Sequence, residues 1–262
     1  MPAPNEITHS QLNRLIGTPD CPVIIDVRID ADFAEDPRMI PTALRWDFND
    51  SDAAAALIGD RRAVVSCHKG LKLSQGFAAI LRNLGVACEF LQGGHVAWAD
   101  ANLPLIQPAP TNSLWVTRHR PKIDRIACPW LIRRFIDPTA RFLFVSPSQV
   151  LNVAEKFNAT AFDVPDCDWT HRDGDCTFDA FLKGFDLSIP ALDHMARIIR
   201  AADTDTLSTA PEAAGLLALS LGLSRMYRDD LEQLEQGLLL YDALYRWARD
   251  ATKETHIWDE TA

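Results

Sequence analysis

In its N-terminal part the chain alternates short apolar runs with helical stretches, and this alternation restricts the fold more than any other feature. Residues 23–27, 63–66 and 87–91 predict short strands, and residues 53–58 and 72–84 predict helices between them. Strands that alternate with helices form a parallel sheet with helices on both faces. The sequence therefore predicts an α/β domain, and such domains bind ligands at the carboxyl ends of their strands.

Residues 103–113 separate this part from a second part of different character. The segment holds three prolines and several small polar residues, which are typical of a linker. We therefore predict two domains, at residues 1–107 and 108–262. The second has predicted strands at 114–117 and 141–145 and helical stretches at 147–157, 189–202, 211–223 and 229–250. It is predicted to be mostly helical with a small sheet.

Composition limits the classes of function. The formal net charge is -10, which disfavours binding to nucleic acid or to an anionic membrane. The longest apolar stretch, at residues 213–223, is too short to span a bilayer. The N-terminus lacks the basic segment and apolar core of a secretory signal. Six cysteines are too sparse for a disulfide scaffold, so we expect a cytoplasmic protein.

A cysteine lies in the short loop between the strand at 63–66 and the helix at 72–84. Cys67 opens this loop, and Lys69 and Lys72 add two cations near its thiol. The helix N-terminus supplies unpaired N–H groups and a positive potential. Such surroundings favour the thiolate, which is the nucleophilic form of cysteine. The same N–H groups can hold an anion bound to the sulfur, as in a backbone nest.

The spacing of this loop distinguishes two kinds of thiol chemistry. Thiol phosphatases use a loop of the form Cys-x5-Arg, whose arginine binds phosphate, but position 73 here is Leu73. The loop is also short, which favours a sulfur-sized ligand over a phosphate. With the cysteine loop, three further motifs make residues 6–106 resemble the rhodanese family of single-domain sulfurtransferases: Asp26-Val27-Arg28, Ile40-Pro41-Thr42-Ala43 and Gly93-Gly94-His95-Val96-Ala97-Trp98.

This resemblance implies that Cys67 takes a sulfane sulfur from a donor and holds it as a persulfide. The loop residues implied to stabilise it through their backbone N–H groups are His68, Lys69, Gly70, Leu71 and Lys72. Lys69 and Lys72 would hold an anionic donor such as thiosulfate, and the domain needs no cofactor. Arg38-Met39 stands where the family often has Gly-His. The alternative is a domain without turnover that only senses or carries sulfur.

The start of the second part is rich in cations. Residues 113–141 hold seven Lys or Arg and two Asp. Pro129 fits best in the first turn of a helix, which places Cys128 near that helix start. With Arg118, Arg120, Lys122 and Arg125 beside it, this helix start is a candidate oxyanion site. The alternative is a solvated basic face that pairs with the acidic first domain.

A second group of residues suggests a metal ion. Carboxylates around His171 would suit iron, manganese or zinc with open coordination positions, and the partners we predict are Asp124, Asp179 and Asp203. Cys167 and Cys176 with His171 could instead form a zinc site, although their spacing fits no common zinc module.

Four segments of the second part resemble the C-terminal domain of chromate-resistance proteins of the ChrB type: residues 115–137, Cys176-Thr177-Phe178-Asp179-Ala180-Phe181, residues 213–224 and Tyr241-Asp242-Ala243-Leu244-Tyr245. The resemblance implies a link to chromate or another oxyanion, in detoxification or redox protection. Some members of that family are chromate-responsive regulators with a different N-terminal domain. Three hypotheses follow: a sulfurtransferase fused to a chromate-resistance domain, a sensor or regulator without turnover, and a metal-dependent redox enzyme.

Overall fold

Five short parallel strands form the sheet of the N-terminal domain in the computed structural model, which describes residues 5–108 and 113–255. Their order across the sheet is β1-β5-β4-β2-β3. The strands are β1 (Glu6–Ile7), β2 (Val23–Asp26), β3 (Leu44–Arg45), β4 (Ala63–Ser66) and β5 (Cys88–Leu91). β2 and β4 lie in the interior of the sheet and consist of buried residues, as expected for parallel strands covered on both faces.

Helices cover both faces of this sheet. They are α1 (His9–Leu15), α2 (Asp30–Glu35), α3 (Ser51–Ile58), α4 (Lys72–Asn83) and α5 (Gly94–Asp100). Ile24 of β2 packs in one hydrophobic cluster with residues of α1 and α5. Its neighbour Ile25 points the opposite way and packs in a second cluster with residues of α3 and α4. The predicted α/β fold is confirmed.

The C-terminal domain is mostly helical, as predicted, and contains a three-stranded parallel sheet of order β7-β6-β8. Its strands are β6 (Leu114–Arg118), β7 (Arg141–Val145) and β8 (Thr160–Ala161). Its α-helices are α6 (Asp124–Leu131), α7 (Val150–Phe157), α8 (Thr177–Gly184), α9 (Pro190–Asp203), α10 (Ala213–Met226) and α11 (Asp230–Asp250). A π-helix (Ile132–Ile136) continues α6 directly, and short 3-10 turns precede α7 and α10.

The prediction that Pro129 lies in the first turn of a helix is wrong. α6 begins at Asp124, so Pro129 is inside the helix and Cys128 is buried in its middle. Contacts with later helices hold the preceding loop, because the Ile123 N–H donates to Ser220 Oγ at 3.2 Å and Tyr241 OH donates to the Ile123 carbonyl at 3.1 Å. These tertiary bonds determine where the helix starts, and local sequence does not show them.

The two domains share one hydrophobic core. Trp98 of α5 and Trp130 of α6 belong to a single cluster of buried side chains. The beginning of the predicted linker packs into this core, because Ile106 is buried and pairs with Met39. This stretch lies on the core and not in solvent, as a linker would, because the side chains of Leu105 and Ile106 are buried. The rest of the predicted linker includes residues 109–112, which lie outside the described residues.

Across the two described segments, no helix combines the length and apolar character needed to cross a membrane.

Candidate functional site

Cys67 follows β4 directly and lies at the carboxyl edge of the parallel sheet. Cys67 is only 4% exposed, and its Sγ lies 3.2 Å from Ser74 Oγ in the first turn of α4. Ser74 Oγ in turn donates to the Leu71 carbonyl at 3.3 Å. Strand, loop and helix therefore hold the sulfur in one position, with a single side-chain hydroxyl against it.

The start of α5 orients the peptide groups of the loop. The His95 N–H donates to the Cys67 carbonyl at 2.9 Å, and the Val96 N–H donates to the His68 carbonyl at 3.0 Å. In a trans peptide unit the carbonyl and the N–H point in opposite directions. The N–H groups of His68 and Lys69 therefore point away from α5.

The backbone N–H groups of this loop have no hydrogen-bond acceptor in the described part of the protein. Within residues 5–108 and 113–255, no backbone N–H from His68 to Lys72 donates a hydrogen bond to the protein. Unpaired N–H groups in a loop before a helix attract an anion. The predicted loop residues thus surround the cysteine with free donors, and Lys69 and Lys72 are exposed at its outer side.

Two glycines allow the backbone of the loop to lie directly on α5. Gly70 has a φ of +68°, and a Cβ there would lie 2.6 Å from the Leu91 carbonyl oxygen. Gly94 has a φ of +60°, and a Cβ there would lie 2.2 Å from the Cys67 carbonyl oxygen. Both positions require glycine, because a side chain would be strained and would also displace the loop.

A buried ion pair and a histidine–aspartate hydrogen bond support the cysteine loop on its inner side. Arg28 Nε donates to Asp26 Oδ2 at 2.8 Å, which joins the first and last residues of the Asp26-Val27-Arg28 motif. Arg28 also donates to two backbone carbonyls beyond α2. His95, whose N–H holds the loop, places its Nε2 3.0 Å from Asp36 Oδ2. Burial lowers the pKa of His95, and contact with Arg38 lowers that of Asp36.

The other five cysteines lack such surroundings. All six cysteines are free of disulfides. Burial raises the pKa of the Cys21 thiol to about 11 and that of Cys88 to about 12. Burial also raises the pKa of Cys128, Cys167 and Cys176. Burial therefore disfavours the thiolate form of each of these five cysteines.

A second polar cluster lies at the carboxyl edge of the C-terminal sheet. Arg118 ends β6, Asp163 follows β8, and Asp124 begins α6. Thr177 at the start of α8 binds both acids, since its N–H donates to Asp124 Oδ2 at 2.6 Å and its Oγ1 donates to Asp163 Oδ1 at 3.0 Å. The ends of two strands and two helices therefore meet in this cluster.

One imidazole nitrogen lies among three carboxylates there. His171 Nε2 is 3.4 Å from Asp124 Oδ2, 3.4 Å from Asp163 Oδ1 and 3.2 Å from Asp203 Oδ2. Arg118 and Arg125 both contact Asp163, at 3.0 and 3.1 Å. The cluster thus combines three acids, one imidazole and two guanidinium groups.

The charged groups in the cluster shift one another's pKa values. Contact with Asp124 and then Asp163 raises the pKa of His171 to about 10. Burial, followed by the two neighbouring acids, raises the pKa of Asp203 to about 7, and burial also raises the pKa of Asp124. Burial opposes ionisation of Asp163, but His171 and the two guanidinium groups outweigh it and lower its pKa.

The backbone before Asp124 is strained. Ile123 has a φ of +42°, in a region that β-branched residues rarely adopt. Such strain persists only where the surroundings enforce it, and it is concentrated at functional sites.

The structure brings together some predicted residues of this domain and separates others. Asp124, His171 and Asp203 converge, whereas Asp179 binds the Cys176 N–H and Arg200 instead. Asp163 joins the cluster without having been predicted, and Arg125, expected at the oxyanion site, lies there as well. The signal for Asp163 is an acid placed soon after a strand, but that strand, β8, has only two residues.

The predicted oxyanion residues converge only in part, because Arg118 and Arg125 meet at Asp163. Arg118 is in the cluster, but Arg120 donates to the Ser224 carbonyl at 2.5 Å and Lys122 lies in the loop before α6. The alternative basic face is also wrong, because the ion pairs of Arg133 and Arg134 are with acids of α11, not with the first domain.

The alternative zinc site with two cysteines does not form. Among the described residues, the one cluster of potential metal ligands is Asp124, Asp163 and His171, which contains no cysteine. Cys167 Sγ instead contacts the Val164 carbonyl at 3.2 Å.

Comparison with known proteins identifies both domains. A model of the rhodanese-like domain matches residues 8–101, and a model of the C-terminal domain of ChrB matches residues 115–248. The protein is thus a rhodanese-like domain fused to a second domain. Because the second model covers just over half of the chain, the chain belongs to the family of the ChrB C-terminal domain. Both resemblances predicted from the sequence are confirmed.

Two curated proteins resemble parts of the chain. Protein ChrB of Cupriavidus metallidurans is 35% identical over 158 residues, which are 59% of this chain and 47% of that protein. The chain therefore spans about half the length of that relative. A sulfurtransferase of Allochromatium vinosum is 29% identical over 105 residues, which are 40% of this chain and 96% of that protein.

Solved structures also resemble part of the chain. A thiosulfate sulfurtransferase of Pseudomonas aeruginosa is 27% identical with a TM-score of 0.34, over 40% of this chain and 20% of that one. A rhodanese-related protein of Thermoplasma volcanium is 18% identical with a TM-score of 0.34, over 39% of this chain and 97% of that one.

Proposed function

We propose that the N-terminal domain is a sulfurtransferase that carries sulfur as a persulfide on Cys67. The observation that supports this most is the set of unpaired backbone N–H groups from His68 to Lys72 beside the sulfur. A persulfide adds one sulfur atom and keeps one negative charge, and free N–H donors stabilise such an anion. The relationship to rhodaneses and to a sulfurtransferase supports the same reaction class.

The reaction has two balanced steps. The Cys67 thiolate attacks the outer sulfur of thiosulfate, the S–S bond of thiosulfate breaks, and sulfite leaves with the electron pair. The persulfide then gives its outer sulfur to a nucleophile such as cyanide, which yields thiocyanate and restores the thiolate. Lys69 and Lys72 are exposed beside the loop and would attract the anionic donor.

The test is thiosulfate-to-cyanide sulfur transfer by the full chain. We expect Cys67→Ser to abolish transfer, because the hydroxyl cannot form a persulfide. Cys21→Ser is the matched control, since Cys21 is a half-buried thiol of the same domain and should leave the rate unchanged. Equal rates for Cys67→Ser and the wild type would disprove the nucleophile assignment.

The rival hypothesis is a sensor or regulator without turnover. It predicts that Cys67 forms a persulfide but that cyanide does not release it, which mass spectrometry of the intact chain would show. A regulator should also shift DNA in a gel at physiological salt, whereas we expect no shift because the net charge is -10. We infer a reducing cytoplasmic location, which suits six free cysteines.

For the C-terminal domain we propose binding of an oxyanion such as chromate in detoxification or redox protection. Two buried guanidinium nitrogens support this, because Arg118 Nε and Arg125 Nε have no hydrogen-bond partner within the described residues. Arg125 Nε lies 3.1 Å from Asp163 as an ion pair, without the angle of a hydrogen bond. Such N–H groups can bind oxyanions.

Calorimetric titration with chromate tests this second proposal. We expect Arg118→Gln to weaken binding at least tenfold, whereas Arg141→Gln, an exposed arginine on β7, should bind like the wild type. Unchanged affinity in Arg118→Gln would refute the assignment.

A further inference from the structure

The cluster around His171 has the geometry of a metal site, and this inference is independent of the proposed sulfur transfer. Two donor atoms that each lie about 2.1 Å from one ion in neighbouring positions are about 3.0 to 3.4 Å apart. The three separations between His171 Nε2 and the carboxylate oxygens are 3.2 to 3.4 Å. The ligand atoms of Asp124, Asp163 and His171 all lie within 4.8 Å of one another.

A hydrogen-bonded ion cluster explains these distances less well. A charge-assisted N–H···O bond is about 2.7 to 2.9 Å long, and one Nε2–H can be directed at only one of the three acids. All three contacts of His171 Nε2 are longer than this. An ion bound between the imidazole and the acids satisfies all three at once.

A buried carboxylate oxygen gives a second, independent observation. Asp124 is 0% exposed, and its Oδ1 has no hydrogen-bond partner within residues 5–108 and 113–255. A buried charged oxygen without a partner is costly in free energy. A cation at the cluster would compensate this charge.

Both deep ligands are already oriented by the protein. Thr177 donates its N–H to Asp124 and its hydroxyl to Asp163, so a single residue fixes both carboxylates. Such bonds behind the ligands are typical of metal sites. On the other side, the side chain of His171 is 40% exposed and that of Asp203 is 20% exposed, which leaves a path from solvent.

We propose that Asp124, Asp163, His171 and Asp203 form a site for one divalent transition-metal ion. The donor set is three carboxylates and one imidazole, with no thiolate. Such donors suit Mn²⁺, Fe²⁺ or Zn²⁺ and disfavour soft ions such as Cu⁺. The floor of the site is formed by Asp124 and Asp163, and its open side leaves coordination positions for water or substrate.

The experiment is a titration of the chelator-treated full chain with Mn²⁺, in which electron paramagnetic resonance measures the free ion. We expect one bound ion per chain in the wild type, and at least a tenfold weaker affinity in His171→Gln and Asp124→Asn. His194→Gln and Asp168→Asn replace residues outside the cluster and should bind like the wild type. A titration with Zn²⁺ and a colorimetric chelator should give the same stoichiometry.

Thr177→Val tests the positioning role separately. It removes the hydroxyl but keeps the N–H and the side-chain shape, and we expect affinity for Mn²⁺ to fall about 10-fold with the stoichiometry unchanged. Folding of each variant is checked by circular dichroism and by urea unfolding.

Two results would overturn the proposal. One is a folded wild type that leaves Mn²⁺ and Zn²⁺ free at stoichiometric concentrations. The other is His171→Gln binding as tightly as His194→Gln, which would mean adventitious surface binding. Because His171 is half-exposed, its replacement is compatible with folding even if Asp124→Asn is not. The metal titration does not depend on sulfur transfer, so it remains valid whether or not Cys67 carries sulfur.

Discussion

Replacement of Gly94 by alanine tests how the cysteine loop is held. A Cβ at this position would lie 2.2 Å from the Cys67 carbonyl oxygen and 2.5 Å from the Gly70 nitrogen. Ordinary contacts to these atoms are longer by about 1 Å, so the loop has to move away from α5 by about that distance. The move would break the hydrogen bond from the His95 N–H that orients the Cys67 peptide.

Gly94→Ala is expected to change both the stability of the protein and the rate of sulfur transfer. A non-glycine residue at positive φ costs about 1 to 2 kcal/mol, and overpacking costs about 1 to 3 kcal/mol. We therefore expect Gly94→Ala to lower the free energy of unfolding by about 2 to 5 kcal/mol. A shift of about 1 Å in the reacting group lowers the rate about 100-fold, so sulfur transfer should fall by about that factor.

Two other glycines separate the contributions. Gly85 has a φ of +89°, and a Cβ there would meet no other atom within 4 Å, so Gly85→Ala should cost about 1 to 2 kcal/mol from strain alone. Gly76 lies inside α4 with open space around it, so Gly76→Ala should stabilise the chain by about 0.5 to 1 kcal/mol. Neither replacement should change the transfer rate.

The assays are urea unfolding and thiosulfate-to-cyanide transfer on the same preparations. If Gly94→Ala kept the wild-type rate within about threefold while remaining folded, the loop would not depend on this contact. A rate loss of similar size in Gly85→Ala would show instead that any weakening of the domain slows transfer.

Two further replacements test what stabilises the fold. Arg28→Met leaves Asp26 buried without its partner and should lower the free energy of unfolding by about 3 to 5 kcal/mol. Arg38→Met removes a more exposed ion pair and should lower it by less than about 1 kcal/mol. Urea titrations followed by circular dichroism compare the two variants, and equal losses would contradict the role of burial. Gly17→Ala places a Cβ 2.4 Å from an aromatic ring of the π-helix, so the shared core should loosen and unfolding should separate into two transitions. Gly59→Ala, also at positive φ but in open space, should keep one unfolding transition. A single transition for Gly17→Ala as well would refute the prediction that this contact couples the two domains.

Short apolar strands were the most predictable part of the fold. The strands Ala63–Ser66 and Arg141–Val145 were predicted to the residue, because apolar runs bounded by polar residues leave little freedom at either end. The cysteine loop followed from them, since a parallel strand and the next helix determine where a loop between them lies. Local pattern and tertiary structure agree there.

The C-terminal cluster was less predictable because it depends on tertiary contacts. Asp163 and His171 come from a loop between a two-residue strand and α8, and no periodic pattern marks that loop. The start of α6 depends on hydrogen bonds from α10 and α11, which lie far along the chain. Spacing alone could therefore suggest acids around His171 but could not tell Asp163, which joins them, from Asp179, which binds Arg200.

The burial of the C-terminal cysteines constrains where sulfur from Cys67 can go. Cys128 and Cys176 are the thiols that fusion of the domains would suggest as acceptors, but both are 0% exposed and burial raises the pKa of each. Sulfur transfer needs a thiolate that can reach the persulfide. Because the domains share one apolar core, neither thiol becomes accessible without opening that core. The acceptor of the Cys67 sulfur is therefore expected to be a separate molecule that approaches the carboxyl edge of the N-terminal sheet.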